Sequence, residues 1–169
     1  VFIREKGIEI PTEQLNVREG KQFLEPFTSM NPFHCVPFLE LDDGTVISES
    51  ISICRYLEEI YPNPALFGTT AETRAIIDMW LRRFELDGFL PMLHAVRNHL
   101  ENFKGRVIPG TRTDLPQVPQ MVTRGIEMGK MFLERVEPHM AENEFVAGSR
   151  FSVADITAFF TIKLTTPLK

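Results

Sequence analysis

Residues 31–50 read NPFHCVPFLELDDGTVISES. The signals in this stretch follow one another without a gap, and together they decide the architecture. Asn31-Pro32 ends whatever helix precedes it, because the residue before a proline is pushed out of the helical region. Val36-Pro37-Phe38-Leu39-Glu40-Leu41 is a β-type run, Asp42-Asp43-Gly44 a turn, and Thr45-Val46-Ile47-Ser48 a second β-type run. Two such runs around Asp-Gly predict a hairpin. Glu49-Ser50 then opens a helix over 50–60, with Ile53, Leu57 and Ile60 on one face.

Working outward, Val1–Lys6 reads as the end of an amphipathic helix stopped by Gly7. Ile8-Glu9-Ile10 alternates like a short strand, and a helix is expected near 19–28. Downstream, Tyr61-Pro62-Asn63-Pro64 breaks the chain, and everything after it is helical in pattern. The expected division is an α/β domain over 1–61, a linker over 62–70 and an all-helical domain over 71–169. Ile76, Ile77, Trp80, Leu81 and Phe84 recur at helical spacing, and Pro91 is expected to kink that helix. Residues 104–119 are rich in Gly and Pro and read as an irregular connection. A further helix carries Val122, Ile126, Gly129, Leu133, Val136 and Met140 on one face. Gly125 and Gly129 each cost that helix about 1 kcal/mol relative to Ala, which points to close packing against a neighbour. Phe151-Ser152-Val153-Ala154-Asp155-Ile156 is a capping box with a hydrophobic staple, so Asp155 is assigned to structure rather than chemistry.

The chain has 169 residues, a net charge of −5 and a sequence pI of about 5.4. That balance argues against a nucleic-acid partner, which selects a basic face. No apolar run approaches the roughly 18 residues that span a bilayer, so no membrane role is expected. The start shows no secretory signal pattern. Cys35 and Cys54 are too few for a disulfide framework and suggest a reducing, cytoplasmic setting. His34, His94, His99 and His139 have no metal-ligand spacing with the cysteines, so no metal is expected.

Three pieces then combine: Asn31-Pro32 with Val36-Pro37-Phe38-Leu39, Asp42-Asp43-Gly44 leading to Glu49-Ser50-Ile51-Ser52-Ile53-Cys54-Arg55-Tyr56-Leu57, and the Phe151–Ile156 capping segment. In order and spacing the chain resembles the cytosolic glutathione transferases over essentially its whole length. The resemblance implies an α/β thioredoxin-like N-terminal domain, its first strand not represented here, plus an all-α C-terminal helical domain. A missing central strand would leave backbone groups unpaired inside the sheet. About two dozen further residues upstream, in keeping with normal domain size, and a longer helical end are therefore expected.

For the site, the resemblance implies that Ser50 holds the γ-glutamyl carboxylate of glutathione. Its hydroxyl and the free amides of a helix start both favour an anion. Glu49 would pair with the ammonium group. Val36 would exchange hydrogen bonds with the cysteinyl backbone like an added strand, with the Val36–Pro37 bond cis. The residues alone equally allow a plain helix cap at Ser48 or Ser50 and a trans proline at a strand start. Related proteins commonly have Lys, Gln or Arg before this Val, where it helps to hold the glycyl carboxylate. Here the position is Cys35, a weak donor, which leaves His34 or another side chain for that task. Cys35 has no Cys-x-x-Cys partner, and Cys54 reads as a buried apolar residue.

In the family a Tyr, Ser or Cys just after the first strand activates the thiol. Tyr56 and Tyr61 lie in the wrong part of the domain, so no catalytic residue is assigned and the activator is expected upstream of Val1. The function implied is conjugation of the glutathione thiolate to a small hydrophobic electrophile by a homodimer, with glutathione as co-substrate. The alternatives are a glutathione-dependent isomerase, dehalogenase or disulfide reductase on the same fold, or a non-catalytic binding module. Trp80, Phe84, Phe89, Met92 and His94 read as core and dimer interface before they read as an electrophile site. Arg97, Lys104, Arg106 and Arg112 read as solvated surface rather than an anion-attracting rim.

Overall fold

In a computed structural model, which describes residues 1–168, the elements run α1 (Phe2–Glu5), α2 (Phe27–Met30), β1 (Phe38–Glu40), β2 (Val46–Ser48), α3 (Ser50–Ile60), α4 (Ala71–Arg83), α5 (Leu90–His99), α6 (Pro119–Glu142) and α7 (Val153–Lys163). They separate into two units. One is Val1–Pro64 together with Ile108–Arg112, and the other is Ala65–Val107 with the chain from Thr113 onward.

In the first unit the hairpin forms where the turn residues place it. β1 and β2 pair antiparallel with Phe38 opposite Ser48, Leu39 opposite Ile47 and Glu40 opposite Val46. Gly44 takes a φ of 82°, which costs a glycine little. The Asp43 carboxylate accepts the Thr45 amide at 2.9 Å, and that bond holds its pKa below the ordinary aspartate value. Gly7, at φ 64°, ends α1 as expected. Ile8–Ile10 is not a strand. Alternation assigns faces, but a strand needs a ladder partner, and the Ile8 amide instead donates back to the Ile3 carbonyl at 3.2 Å. The single helix expected near 19–28 is also replaced. A 3₁₀ turn at Lys21–Phe23 and the short α2 stand in its place, because Gly20 is left-handed at φ 77° and Pro26 offers no amide to a continuing helix.

Lys6 binds this unit together. It is only 5% exposed, and its Nζ donates to the carbonyls of Tyr61 at 2.7 Å and Pro64 at 2.6 Å. The same ammonium pairs with the Glu58 carboxylate. One buried cation thus ties the end of α1 to the last turns of α3. Ile53 and Leu57 face the core, but Ile60 is 48% exposed, because the final turn of α3 runs past the packed layer.

In the second unit α4 opens with a reciprocal cap. The Thr70 hydroxyl accepts the Thr73 amide at 3.1 Å, and the Thr73 hydroxyl accepts the Thr70 amide at 3.0 Å. The kink expected at Pro91 takes the form of a π-helical segment over Phe84–Phe89, between α4 and α5. A proline ring clashes with the carbonyl four residues back, and a widened turn relieves that clash. Gly88 lets this turn lie against two helices: a Cβ there would come within 2.8 Å of both the Phe132 ring and the Thr161 methyl. The two helical glycines of α6 do what their cost suggested. A Cβ on Gly125 would fall 2.4 Å from the Pro91 carbonyl oxygen, and one on Gly129 would fall 2.3 Å from the Met92 sulfur. The buried stripe of α6 is Gly125, Gly129, Phe132 and Val136, rotated slightly from the face read in the sequence.

Side chains join the ends of these helices. Gln117 donates to the carbonyl of Arg97 in the last turn of α5 at 2.9 Å and to that of Leu100 just past its end at 2.8 Å, while Asn98 accepts the Val118 amide at 2.9 Å. At α7 the Asp155 carboxylate accepts the Ser152 amide at 2.8 Å, and the Ser152 hydroxyl accepts the Ala154 amide at 3.3 Å. The second oxygen of Asp155 accepts the Val146 amide at 2.8 Å. His139 of α6 donates from Nε2 to the Val146 carbonyl at 2.8 Å and stacks on Trp80 with centroids 4.2 Å apart. Among the described residues no helix is long and apolar enough to cross a membrane.

Two substitutions weigh these anchors. Glu58→Ala leaves the Lys6 ammonium buried without its counter-charge and is expected to cost about 3–5 kcal/mol. Asp155→Ala strips acceptors from two backbone amides and is expected to cost about 2–3 kcal/mol. Urea unfolding with an unchanged m-value measures both. A shift of less than half these amounts would show that the anchor is not structural.

Candidate functional site

The site is built at the open end of the hairpin. Phe38 faces Ser48 in the last pair of the ladder. Two residues further out on each side stand Val36 and Ser50, so the register brings the strand entry and the start of α3 to one place.

The start of α3 is open. Its N-cap is Glu49, and no side chain caps the helix. The cap at Ser48 or Ser50 that the residues allowed does not form. Among the described residues the amides of Ser50, Ile51 and Ser52 have no acceptor, and the Glu49 carbonyl takes the Ile53 amide at 3.0 Å. An eleven-residue helix therefore presents its positive end, three amides and the Ser50 hydroxyl to the surface. Glu49 and Ser50 are both exposed. Glu49 has a φ of 70°, a left-handed conformation rare outside glycine. Such strain costs on the order of 1–3 kcal/mol and concentrates at functional sites.

Val36 supplies the second element. It is 45% exposed, and neither its amide nor its carbonyl is bonded among the described residues. The Val36–Pro37 bond is cis. An unpaired extended residue at a ladder end is a place where another extended backbone can add.

The loop before it is held by Asn31, whose role in the loop the sequence reading did not foresee. Asn31 is 3% exposed. Its Nδ2 donates to the Cys35 carbonyl at 2.8 Å, and its Oδ1 accepts the Phe33 amide at 3.2 Å. His34 takes a φ of 52° inside this loop. The Phe23 ring lies 4.8 Å from the His34 ring and 5.1 Å from the Arg112 guanidinium carbon. Gly110 is seated on the same loop: a Cβ there would fall 1.9 Å from the Phe33 carbonyl oxygen and 2.8 Å from the Cys35 sulfur. The breaker pair Pro109-Gly110 and the charge of Arg112 marked this segment in the sequence, and nothing local pointed it at residues 33–35.

The remaining candidates sort out plainly. Burial pushes the Cys54 thiol up to about 11, so it stays protonated at neutral pH. The Tyr61 carbonyl, not its phenol, is engaged, by Lys6. Trp80 stacks on His139, and Phe84 and Met92 are buried in the second unit, as a core role requires. The hairpin end thus offers an anion site at a helix N-terminus, a carboxylate for a cation, and a backbone edge for an extended chain.

Comparison with known proteins points to one family. The family profile described as Glutathione S-transferase, N-terminal domain, matches residues 1–60. Glutathione S-transferase 1 of Manduca sexta is 31% identical over 161 residues, covering 93% of this chain and 67% of that one. Maleylacetoacetate isomerase of Rattus norvegicus is 29% identical over 153 residues, covering 89% and 64%. The crystal structure of a glutathione S-transferase of class Gtt2 from Vibrio parahaemolyticus superposes with a TM-score of 0.79 at 34% identity, covering 98% of this chain and 73% of that one. The chain spans 59% and 67% of the length of the first two curated relatives it matches. Because the likeness runs through both units, this chain belongs to the glutathione S-transferase family and has its thioredoxin-like N-terminal and helical C-terminal domains.

Proposed function

We propose that the protein conjugates the thiolate of glutathione to small hydrophobic electrophiles, as a homodimer in the cytoplasm. The proposal takes 1–61 as the glutathione-binding domain, 62–70 as the linker and 71–169 as the helical domain. The observation that carries it is the uncapped start of α3 just past Ser48, with the unpaired backbone of Val36 two residues beyond Phe38, the partner of Ser48 in the last pair of the hairpin. The γ-glutamyl carboxylate lies on the amides and hydroxyl at Ser50, its ammonium against Glu49, and the cysteinyl backbone along Val36 and Pro37.

These contacts orient rather than activate. Holding an extended tripeptide at its end and its middle fixes where the sulfur points, and that removes much of the entropy cost of meeting an electrophile. A free thiol has a pKa near 8.5, so conjugation at neutral pH also needs a donor to stabilise the thiolate. Cys54 does not supply a second thiolate at this pH, since burial holds its own thiol protonated. The name of the rat relative supports a second reading, in which the same bound thiol adds to a cis double bond and leaves again to isomerise it.

Ser50→Ala should weaken binding to glutathione about tenfold, the worth of a hydrogen bond to a charged group, with the circular dichroism spectrum unchanged. Equal retention of variant and native protein on immobilised glutathione would remove Ser50 from the site. Cys54→Ser should leave turnover of aromatic halides and enals unchanged, and Cys54 should resist iodoacetamide at pH 7.5 in the native protein. Rapid labelling there would contradict the raised pKa. Isomerisation of a cis-enone without net loss of glutathione, and with no turnover of halides or enals, would select the second reading.

A further inference from the structure

The position before Val36 is Cys35, so the carboxylate at the glycyl end of glutathione has no cation in the adjoining chain. We propose that Arg112, brought in by the 108–112 segment, holds it. The inference rests on the glutathione-binding reading above.

Direction comes first. With the γ-glutamyl end at Ser50 and the cysteinyl backbone along Val36, the glycyl end runs away from α3. It therefore lies toward Cys35 and His34, one residue beyond the cysteinyl unit and within about 4–7 Å of Val36 along an extended chain. The 108–112 segment is seated on that side. Gly110 lies so close to the Phe33 carbonyl and the Cys35 sulfur that a Cβ would fall 1.9 Å and 2.8 Å from them. Two residues on, Arg112 is set in a slot. Its guanidinium carbon stands 5.1 Å from the centroid of Phe23, whose ring is 4.8 Å from that of His34. Its Nη2 occupies the space beside Gly20, where a Cβ would come within 2.1 Å.

The guanidinium is therefore positioned by packing, yet it is exposed and has no carboxylate or hydrogen-bond acceptor among the described residues. Glu19, next to Gly20, and Asp114, two residues along the chain, are the acidic residues nearest in sequence, and neither pairs with it among the described residues. A seated, unspent arginine on the segment that packs against residues 33–35 suits a carboxylate, which it can grip with two parallel hydrogen bonds. His34 packs on the same Phe23 ring. This changes the reading of Arg112 from solvated surface to ligand contact, and it explains how Cys35 is tolerated: the charge has moved to another segment of the chain.

Glutathione and its glycine monoethyl ester separate the possibilities, because the ester lacks only the glycyl charge. Titration calorimetry on the native protein should show the ester binding about tenfold more weakly. Arg112→Met keeps the packing stem over Phe23, and it should bind glutathione as weakly as the native protein binds the ester, with no further loss for the ester. Arg112→Lys should recover part of the preference. If Arg112→Met weakens both ligands equally, or neither, Arg112 does not hold the carboxylate and the glutathione site stands without it. If the native protein binds neither ligand, the glutathione reading itself falls, and this inference with it.

Discussion

The pairing of Phe38 with Ser48 governs the rest of the first unit. A β-ladder has a side-chain period of two, so its register decides which residues arrive together at its open end. Shifting the pairing by one residue would set Val36 opposite Glu49 or Ile51 and turn every side chain of β1 to the other face. The turn at Asp42-Asp43-Gly44 is what prevents this. Gly44 accepts the left-handed conformation, and the Asp43 carboxylate locks the Thr45 amide. The candidate site is therefore specified several residues away from itself, by a turn that lies outside it.

Around that register several departures from ideal local structure gather. Among the described residues Glu49 and His34 are the non-glycine ones with positive φ, the start of α3 has no side-chain cap, and Val36 leaves its backbone unpaired. Each of these is unfavourable taken alone. The surroundings supply compensation: Asn31 fills the interior of the 31–35 loop with hydrogen bonds, and Lys6 anchors the far end of α3 through Glu58 and two carbonyls. Stability is concentrated at the closed end of the helix, and unspent hydrogen-bonding capacity at the end that faces outward.

Much of this was legible in the sequence because it is local. Asp-Gly between two β-type runs, Ser152 with Asp155, and the glycine pair in α6 act within a few residues or carry their cost on their face. The failures have a common physical cause. Ile8–Ile10 lacked a partner, and alternation alone does not reveal whether a partner exists. The helix over 19–28 obeyed propensity until Gly20 and Pro26 broke it. Lys6 read as one more charge at a helix end, since nothing nearby shows that carbonyls of Tyr61 and Pro64 will close over it. The seat of Gly110 on Phe33 and Cys35 joins segments more than seventy residues apart, and that separation leaves no pattern to read.

Val146 has a consequence for motion. Its amide is held by Asp155 at the head of α7, and its carbonyl by His139 near the end of α6. A loop residue bonded in this way, with one backbone group committed to each helix, works as a pin through two bars. Neither helix can slide along its axis without breaking a hydrogen bond to a residue whose side chain is 2% exposed. A displacement of α6 along its axis is therefore resisted through α7. A push on one helix should be felt at the outer faces of both, including the exposed rings of Phe159 and Phe160 on α7.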